Sequence, residues 1–172
     1  AEYYVVPGLR ATGNDGSSWE KAITMYDVFE NDASAAKNDE VSKYKTGDVF
    51  FLAGGTYYNA TSPGSDAGRI YRGYIFVGGC DQSKGVVTEW PVYPSATPTI
   101  FSGDLDENGE PSAGDLRNLI HVRQARNDDA ENLAHICKLI GIDFTCSYSP
   151  EGSTNASGAV YCTQGAIELQ YC

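Results

Sequence analysis

The run Val49-Phe50-Phe51-Leu52, preceded by Gly47-Asp48 and followed by Ala53-Gly54-Gly55, decides the fold class. Its four residues are all apolar, as expected of a β-strand that is covered on both faces. Similar short runs, rich in β-branched and aromatic residues and usually followed by Gly, Asp or Asn, recur along the chain. These runs are Tyr74–Val77, Thr99–Phe101, Leu119–Val122, Leu139–Ile142 and Ala166–Leu169.

The spacing of these runs predicts their arrangement. Apolar markers at positions 49, 75, 100, 120, 142 and 167 lie 20 to 26 residues apart, and a repeat of about 20 to 50 residues is typical of a solenoid. Stacked rungs of parallel strands share a core that one rung cannot bury alone. A β-sandwich is the alternative, although its strands more often recur about every 8 to 12 residues. We therefore expect an all-β fold, a short parallel β-helix solenoid.

The first 46 residues follow a different pattern. After a strand at Tyr3–Val6, apolar residues recur at spacings of three and four, which predicts an amphipathic helix ending near Asn31. The residues of this apolar face are Trp19, Ala22, Ile23, Tyr26 and Phe29. Ser17 and Glu20 form a capping box at its start, and a weaker helical or loop segment follows at 33–44.

We expect this helix to cover the open strand edge at the first end of the solenoid, because an uncovered edge invites pairing with other chains. The chain is then a single domain, 1–172, in which residues 1–46 form the N-terminal strand and helical cap and residues 47–172 form the rungs. The last strand has no predicted cover, so further sequence or another chain is expected to complete the stack.

Charge and composition exclude several partners. Twelve Lys and Arg against 23 Asp and Glu give a formal net charge of −11, which repels nucleic acid and anionic membrane surfaces. No apolar stretch approaches the roughly 20 residues of a membrane span. The chain begins directly with a strand pattern, as an exported protein does after its signal peptide is removed.

The five cysteines leave two alternatives open. Cys80, Cys137, Cys146, Cys162 and Cys172 show no C-x-x-C spacing, so a structural zinc site lacks its usual pattern. An odd number leaves one thiol unpaired or bonded to another chain, and Cys172 is the candidate for an intermolecular disulfide. Alternatively, several are buried free thiols, since free cysteine is among the most buried residue types.

Four blocks of sequence carry a family resemblance. They are Tyr3–Gly8, Asn14–Trp19, Gly47–Tyr57 and Pro98–Asp104. Together they resemble the N-terminal part of secreted right-handed parallel β-helix proteins of the pectate-lyase-like superfamily, especially bacterial cell-surface members related to polymorphic outer membrane proteins. The resemblance implies a secreted, extracellular or cell-surface location and a helix-capped, right-handed solenoid. It implies no activity, because the superfamily includes lyases, hydrolases, adhesins and structural proteins.

One loop has the pattern of a calcium site. In the segment 104–115, Asp104, Asp106 and Asn108 occupy loop positions 1, 3 and 5, Gly109 occupies position 6, and Asp115 occupies position 12. A hard cation needs six to eight oxygen ligands, alternate residues of a tight loop supply them, and glycine permits the bend.

We expect side-chain ligands from Asp104, Asp106, Asn108 and Asp115, a backbone carbonyl from Glu110, and a water held by Ser112. No helix is predicted on either side, so the loop is not an EF-hand, and the role of the calcium is structural. The alternative is a solvated acidic turn.

We expect ordinary structural roles for the other residues that could be glycosylated or catalytic. Asn59-Ala60-Thr61 and Asn155-Ala156-Ser157 match the glycosylation pattern, which often arises by chance. His121 and His135 lie among apolar residues and are expected to be structural. Four arginines are candidates for stabilising negative charge in a lyase that acts on acidic sugars, but the sequence pairs them with no defined base. They are Arg69, Arg72, Arg123 and Arg126.

The sequence therefore predicts a non-enzymatic extracellular structural or adhesive protein. We expect it to associate through its β-helix ends with copies of itself, head to tail, in open filaments, or with a cell surface. The competing hypothesis is a polysaccharide-active enzyme or carbohydrate-binding module, in which exposed Tyr and Trp stack on sugar rings and acidic residues act with calcium.

Overall fold

Short strands dominate the fold. The computed structural model describes residues 1–32, 42–62, 64–123, 136–149, 158–163 and 165–172. The described strands are β1 (Glu2–Val5), β2 (Val49–Ala53), β3 (Gly55–Tyr57), β4 (Arg69–Ile70), β5 (Ile75–Cys80), β6 (Thr99–Ser102), β7 (Ile120–Val122), β8 (Ile136–Ile140), β9 (Ile142–Thr145), β10 (Val160–Cys162) and β11 (Ala166–Gln170). The described helices are α1 (Met25–Asn31) and two 3₁₀ turns, Trp19–Lys21 and Gln82–Lys84. None of them is long and apolar enough to span a bilayer.

The strands form three sheets, and every pairing among the described strands is parallel. Sheet 1 has the order β1-β2-β5-β8-β11, sheet 2 the order β3-β6-β9, and sheet 3 the order β4-β7-β10. The chain visits sheets 1, 2 and 3 in turn and then repeats that order. We call β2–β4, β5–β7 and β8–β10 the first, second and third rungs. Only 9% of the structure is helical, so the predicted β-rich fold of parallel strands is confirmed.

The regular spacing of the apolar runs does not measure the length of a rung. Positions 75, 100 and 120 fall on β5, β6 and β7, which are three strands of one rung. The strands of sheet 1 that belong to the rungs begin instead at Val49, Ile75 and Ile136, at unequal intervals, because long loops enter the second rung. The parallel pairing was predicted correctly, although the spacing used to predict it is not the rung repeat.

The core consists of columns of side chains at equal register positions in successive rungs. In sheet 1, Phe50 pairs in register with Phe76, and Phe76 with Leu139; all three are fully buried. The rings of Phe50 and Phe76 are stacked with centroids 5.1 Å apart. In sheet 2, Tyr57 and Phe101 form an equivalent column with centroids 5.6 Å apart. Each rung therefore covers the apolar side chains of its neighbour.

The opposite face of sheet 1 is also covered, which explains why β2 is apolar throughout. Phe51, Val77 and Ile140 point away from the columns and form a second apolar cluster with Tyr4. Partly buried residues from elsewhere in the chain pack over it, among them Trp19, Val87 and Tyr93. The predicted coverage on both faces is confirmed for these residues.

The N-terminal end of sheet 1 has an occupied strand edge. On the side of β1 away from β2, Tyr4 N donates to Gly16 O at 2.9 Å, and Ile23 N donates to Tyr4 O at 2.9 Å. Val6 N donates to Ile23 O at 2.9 Å, and Val5 forms an isolated parallel bridge with Ile23. Residues 16–23 therefore occupy the outward backbone N and O of Tyr4 in β1 and the N of Val6 just after it.

This pairing corrects the predicted helix. The expected continuous helix from Trp19 is interrupted, because Ala22–Thr24 are extended along β1 and α1 begins only at Met25. The predicted capping box of Ser17 and Glu20 is wrong: Ser17 instead donates its backbone N and Oγ to Asp15 Oδ1. The capping box that forms joins Thr24 and Asp27 at the start of α1. Of the weaker segment 33–44, residues 33–41 lie outside the described residues.

A glycine separates two sheets where the sequence suggested one strand. The run Leu139–Ile142 crosses from β8 in sheet 1 to β9 in sheet 2 through Gly141. Gly141 has a φ of +62°, and a Cβ there would lie 1.8 Å from Cε1 of Tyr93. The corner requires glycine both for its backbone conformation and for space.

Asp27 fixes the segment that covers β1. Its buried carboxylate accepts hydrogen bonds from the backbone N of Thr12, Gly13 and Thr24, at 2.9 to 3.0 Å, and from the Thr12 and Thr24 hydroxyls. Burial alone would raise the pKa of Asp27, but these hydrogen bonds outweigh it and hold the pKa below its usual value. The ionised form therefore stabilises the fold.

We expect Asp27→Asn to lower the free energy of unfolding at pH 7 by about 2–3 kcal/mol, because an NH₂ group replaces an acceptor that faces N–H donors. Since the folded-state pKa is depressed, the stabilisation by Asp27 is present above the unfolded-state value of about 3.9 and is lost as the pH falls through the folded-state value. The difference between wild type and variant should narrow accordingly in urea titrations from pH 7 to pH 3. Glu30→Gln, at an exposed position of the same helix, is the control; equal stability of the two variants would contradict this role.

Candidate functional site

The acidic segment 104–115 lies in the long loop between β6 and β7. Leu116 N donates to Gly103 O at 3.0 Å, which brings the two ends of the segment together. Gly103 N in turn donates to Thr145 O at the end of β9. The loop therefore extends from a base that is fixed to the strands of two rungs.

Three of the predicted ligands are brought together. One carboxylate oxygen from each of Asp104, Asp106 and Asp115 lies within 4.8 Å of the other two. Asp106 is exposed, Asp104 is half-buried and Asp115 is fully buried. The sequence spacing thus identified a true cluster of carboxylates.

The other two predicted ligands, the Asn108 side chain and the Glu110 backbone carbonyl, belong to the same loop. The Asn108 side chain donates from Nδ2 to Asp106 Oδ2 at 3.0 Å, and its Oδ1 accepts from Glu110 N at 2.7 Å. The Glu110 carboxylate is exposed and is not part of the carboxylate cluster. Ser112, the predicted holder of a water, donates its hydroxyl to Asp106 Oδ2 at 2.7 Å.

Hydrogen bonds within the loop satisfy the aspartates unequally. Asp104 accepts from Asn108 N and Gly109 N, each at 3.0 Å. Asp115 accepts from Ser112 N at 2.8 Å through Oδ2, but its Oδ1 is buried without a hydrogen-bond partner. An unsatisfied buried polar group costs about 1–3 kcal/mol, and more when it is charged. Asp115 Oδ1 therefore lacks the donor or cation that a buried carboxylate oxygen needs.

The described histidine and arginine candidates are either buried in structural contacts or exposed. His121 is buried, and its Nε2 lies 2.9 Å from Thr163 Oγ1. Burial, followed by the charge of Arg69, lowers the pKa of His121, so the ring is neutral at physiological pH. Arg72 is buried against Asp32 and forms an ion pair with it, whereas Arg69 and Arg123 are exposed.

Asn59 does not present an accessible glycosylation site. It is buried, and its Nδ2 donates to Leu119 O at 2.8 Å. The remaining candidates, Arg126, His135 and the acceptor pattern at Asn155, lie outside the described residues.

The end of the stack opposite β1 has a different surface. β9, β10 and β11 are the outermost strands of their sheets at this end. Leu169 continues the column of Phe50, Phe76 and Leu139 but is 50% exposed. Phe144 continues the column of Phe101 in sheet 2, and it is only partly buried. We call this surface, formed by β9, β10 and β11, the end face.

An open groove that sequence reasoning missed lies beside Trp90. It has a volume of about 550 Å³ and is lined by residues 79–81 and by much of the segment 84–97. Trp90 is 51% exposed. Trp19 Nε1 donates to Gly85 O at 2.7 Å and Tyr93 Oη to Gly78 O at 2.8 Å, which ties this segment to the body of the fold. The signal in the sequence was the Trp- and Pro-rich run 90–98, which does not fit any strand pattern.

Comparisons with known proteins add no family assignment. No protein-family model, no curated protein and no solved structure matches the chain. The resemblance to the pectate-lyase-like superfamily therefore stays a prediction.

The cysteines, all of which lie in described residues, are free thiols. Cys80 and Cys137 are buried, Cys146 is half-buried, and Cys162 and Cys172 are exposed. Burial raises the pKa of Cys80 to about 12 and also raises the pKa of Cys137. The structure thus contains no intramolecular disulfide.

We expect Ellman's reagent to titrate three thiols in the native protein, those of Cys146, Cys162 and Cys172, because reaction requires an accessible thiolate. In guanidinium without reductant all five should react. Fewer than five in the unfolded chain would reveal a disulfide and contradict the free-thiol assignment.

Proposed function

We propose that this chain is a short right-handed parallel β-helix that serves as a non-enzymatic structural or adhesive protein outside the cell or at its surface, and that it self-associates through the end face. The repeated order of sheets 1, 2 and 3 supports a solenoid. The right-handed sense follows from the strong preference of parallel crossover connections for that hand. The N-terminal strand with residues 16–32 then covers one end, and the strands from β2 onward form the rungs.

The observation that carries the proposal is the exposure of core columns at the end face. Phe50, Phe76 and Leu139 are fully buried because the next rung covers each of them. Leu169 occupies the next position of that column and is half exposed. Removing an apolar side chain of this kind from water is favourable by about 25 cal/mol per Å², so a second molecule gains by covering it.

The unpaired strand edges at the end face also favour a second copy of the chain as the partner. Among the described residues, no strand pairs with the outer edges of β9, β10 or β11. Unpaired edges of this kind accept strands from another chain. Lys138 Nζ and Glu168 Oε2 lie 3.0 Å apart on the last two strands of sheet 1. In this pair the two charges offset each other beside the outer edge of sheet 1, which reduces the repulsion that a second copy meets there.

The cover over the outer edge of β1 limits which ends of two molecules can pair through their strands. A head-to-tail filament through strand pairing in sheet 1 needs a free edge at both ends of that sheet, but residues 16–23 lie along the outer edge of β1. Contact between two end faces uses the same surface on both molecules and closes as a two-fold dimer. We therefore propose a dimer joined by its end faces, in place of the head-to-tail contact expected from the sequence.

Sedimentation velocity over a wide concentration range tests this proposal. We expect wild type to form a dimer, and Leu169→Lys to weaken dimerisation at least tenfold, because a charge replaces an apolar group at the interface. Leu9→Lys is a matched control, since Leu9 is similarly exposed, at 58%, but lies in the N-terminal segment. A monomeric wild type, or equal effects of the two substitutions, would overturn the proposal.

The second candidate function is carbohydrate binding, favoured by one observation. The groove beside Trp90 combines an exposed indole face with the carboxylates of Asp81 and Glu89 among its lining residues. Aromatic faces pack against the apolar faces of sugar rings, while carboxylates accept hydrogen bonds from hydroxyls. The net charge of −11 favours a neutral polysaccharide over an acidic one.

Affinity electrophoresis in gels containing a neutral glucan or polygalacturonate tests this candidate. We expect retardation by the neutral polymer, lost on Trp90→Ala and kept in Val86→Ala, which truncates another exposed apolar residue of the groove lining. Release of reducing ends would identify an enzyme. Absence of retardation in both polymers would exclude the carbohydrate-binding candidate.

A further inference from the structure

We infer that the acidic loop binds one calcium ion through the carboxylates of Asp104, Asp106 and Asp115. The residues of this site are separate from the strands β9, β10 and β11 of the end face, because all three lie in the loop between β6 and β7. The ion orders the loop and takes no part in a reaction.

The spacing of the carboxylates suits a single ion of this size. Calcium binds oxygen at about 2.3–2.6 Å, so two oxygens on one ion are at most about 4.6–5.2 Å apart. The three aspartate oxygens all lie within 4.8 Å of one another. All three can therefore contact the same ion with small adjustments of their side chains.

A cluster of surface carboxylates is not sufficient evidence, and the decisive observation concerns Asp115. This side chain is fully buried and its Oδ1 has no hydrogen-bond partner. Its position is fixed, because Oδ2 accepts from Ser112 N at 2.8 Å and its backbone O accepts from Gly64 N at 2.7 Å. A fixed, buried carboxylate that belongs to a cluster of three and has an unpartnered oxygen supports a cation at this position.

The remaining donors favour calcium over other metals. The cluster contains only oxygen ligands, with no His or Cys in it, which disfavours zinc. Magnesium requires near-ideal octahedral geometry at short distances, whereas calcium accepts six to eight ligands in flexible arrangements. Because Asp106 and Asn108 are exposed, water can complete the coordination of a calcium ion.

The ion would also remove a local electrostatic conflict. Three carboxylates this close repel one another, and the loop offers no Lys or Arg between residues 104 and 116 to oppose that repulsion. The N–H groups that reach Asp104 offset it only in part. We therefore expect calcium to raise the melting temperature of the whole chain, because the base of the loop is bonded to the strands.

Isothermal titration of the metal-free, full-length chain with CaCl₂ tests the inference. We expect one site, and at least tenfold weaker binding in Asp115→Asn and in Asp106→Asn; the latter is exposed and so leaves the fold intact. Glu110→Gln is the matched control, because its carboxylate lies in the same loop outside the cluster. Its calcium affinity should stay within twofold of wild type. Magnesium should bind at least tenfold more weakly than calcium.

Terbium luminescence provides an independent readout of position. Tyr58 lies beside the base of the loop, because the preceding residue, Tyr57, pairs in register with Phe101 near the end of β6. Tyr58 should therefore sensitise terbium bound at the site, and Tyr58→Phe should reduce the emission without changing the calcium affinity. No calcium heat together with no change in melting temperature, or equal losses in Asp115→Asn and Glu110→Gln, would overturn the inference.

Discussion

The fold depends on one constraint, which is that the inward side chains of each rung must be covered by those at the same register position in the next. Phe50, Phe76 and Leu139 satisfy it completely. A slip of one residue in any strand would exchange the columns for the outward cluster of Phe51, Val77 and Ile140. Because sheet 1 is apolar on both faces, the hydrophobic pattern alone does not fix its register. The corners do so, as at Gly141, where the backbone and the Tyr93 ring tolerate only glycine.

The burial of sheet 1 on both faces also determines how much of the fold could be predicted from the sequence. In sheet 1, β1, β2, β5 and β11 coincide with predicted runs, whereas the predicted run Leu139–Ile142 covers only the end of β8 and continues into β9. β3 and β4, with three and two residues, are too short to show a period, and Arg69–Ile70 resembles a loop. The prediction of a helix from Trp19 was wrong for a different reason. The apolar spacing is present in the sequence, but Ile23 pairs with Val5 at the edge of β1 instead of continuing a helix. Such a choice depends on a neighbour that is distant in sequence.

The clustering of the three carboxylates was predictable from the sequence, whereas the hydrogen bonds of the Asn108 side chain were not. Alternate positions of a tight loop place Asp104 and Asp106 on one side, and the bond between Leu116 and Gly103 returns Asp115 to them. Asn108 faces Asp106 with its amide nitrogen, and its oxygen is used by Glu110 N, because no flanking helices impose the geometry of an EF-hand. The buried, unpartnered oxygen of Asp115 is a property of packing and could not be inferred from spacing.

The stacking constraint acts on the strands and on tight corners such as Gly141, and it does not fix the length of the loops between strands. Lengthening a loop costs little conformational entropy once its ends are fixed, and both long loops of the second rung are fixed close to their strands, by Gly103 O and by Gly78 O. The acidic loop concentrates negative charge away from the stack, where salt screens it beyond about 8–10 Å. The strands carry the packed core, whereas the acidic cluster and the groove beside Trp90 both lie in these long loops.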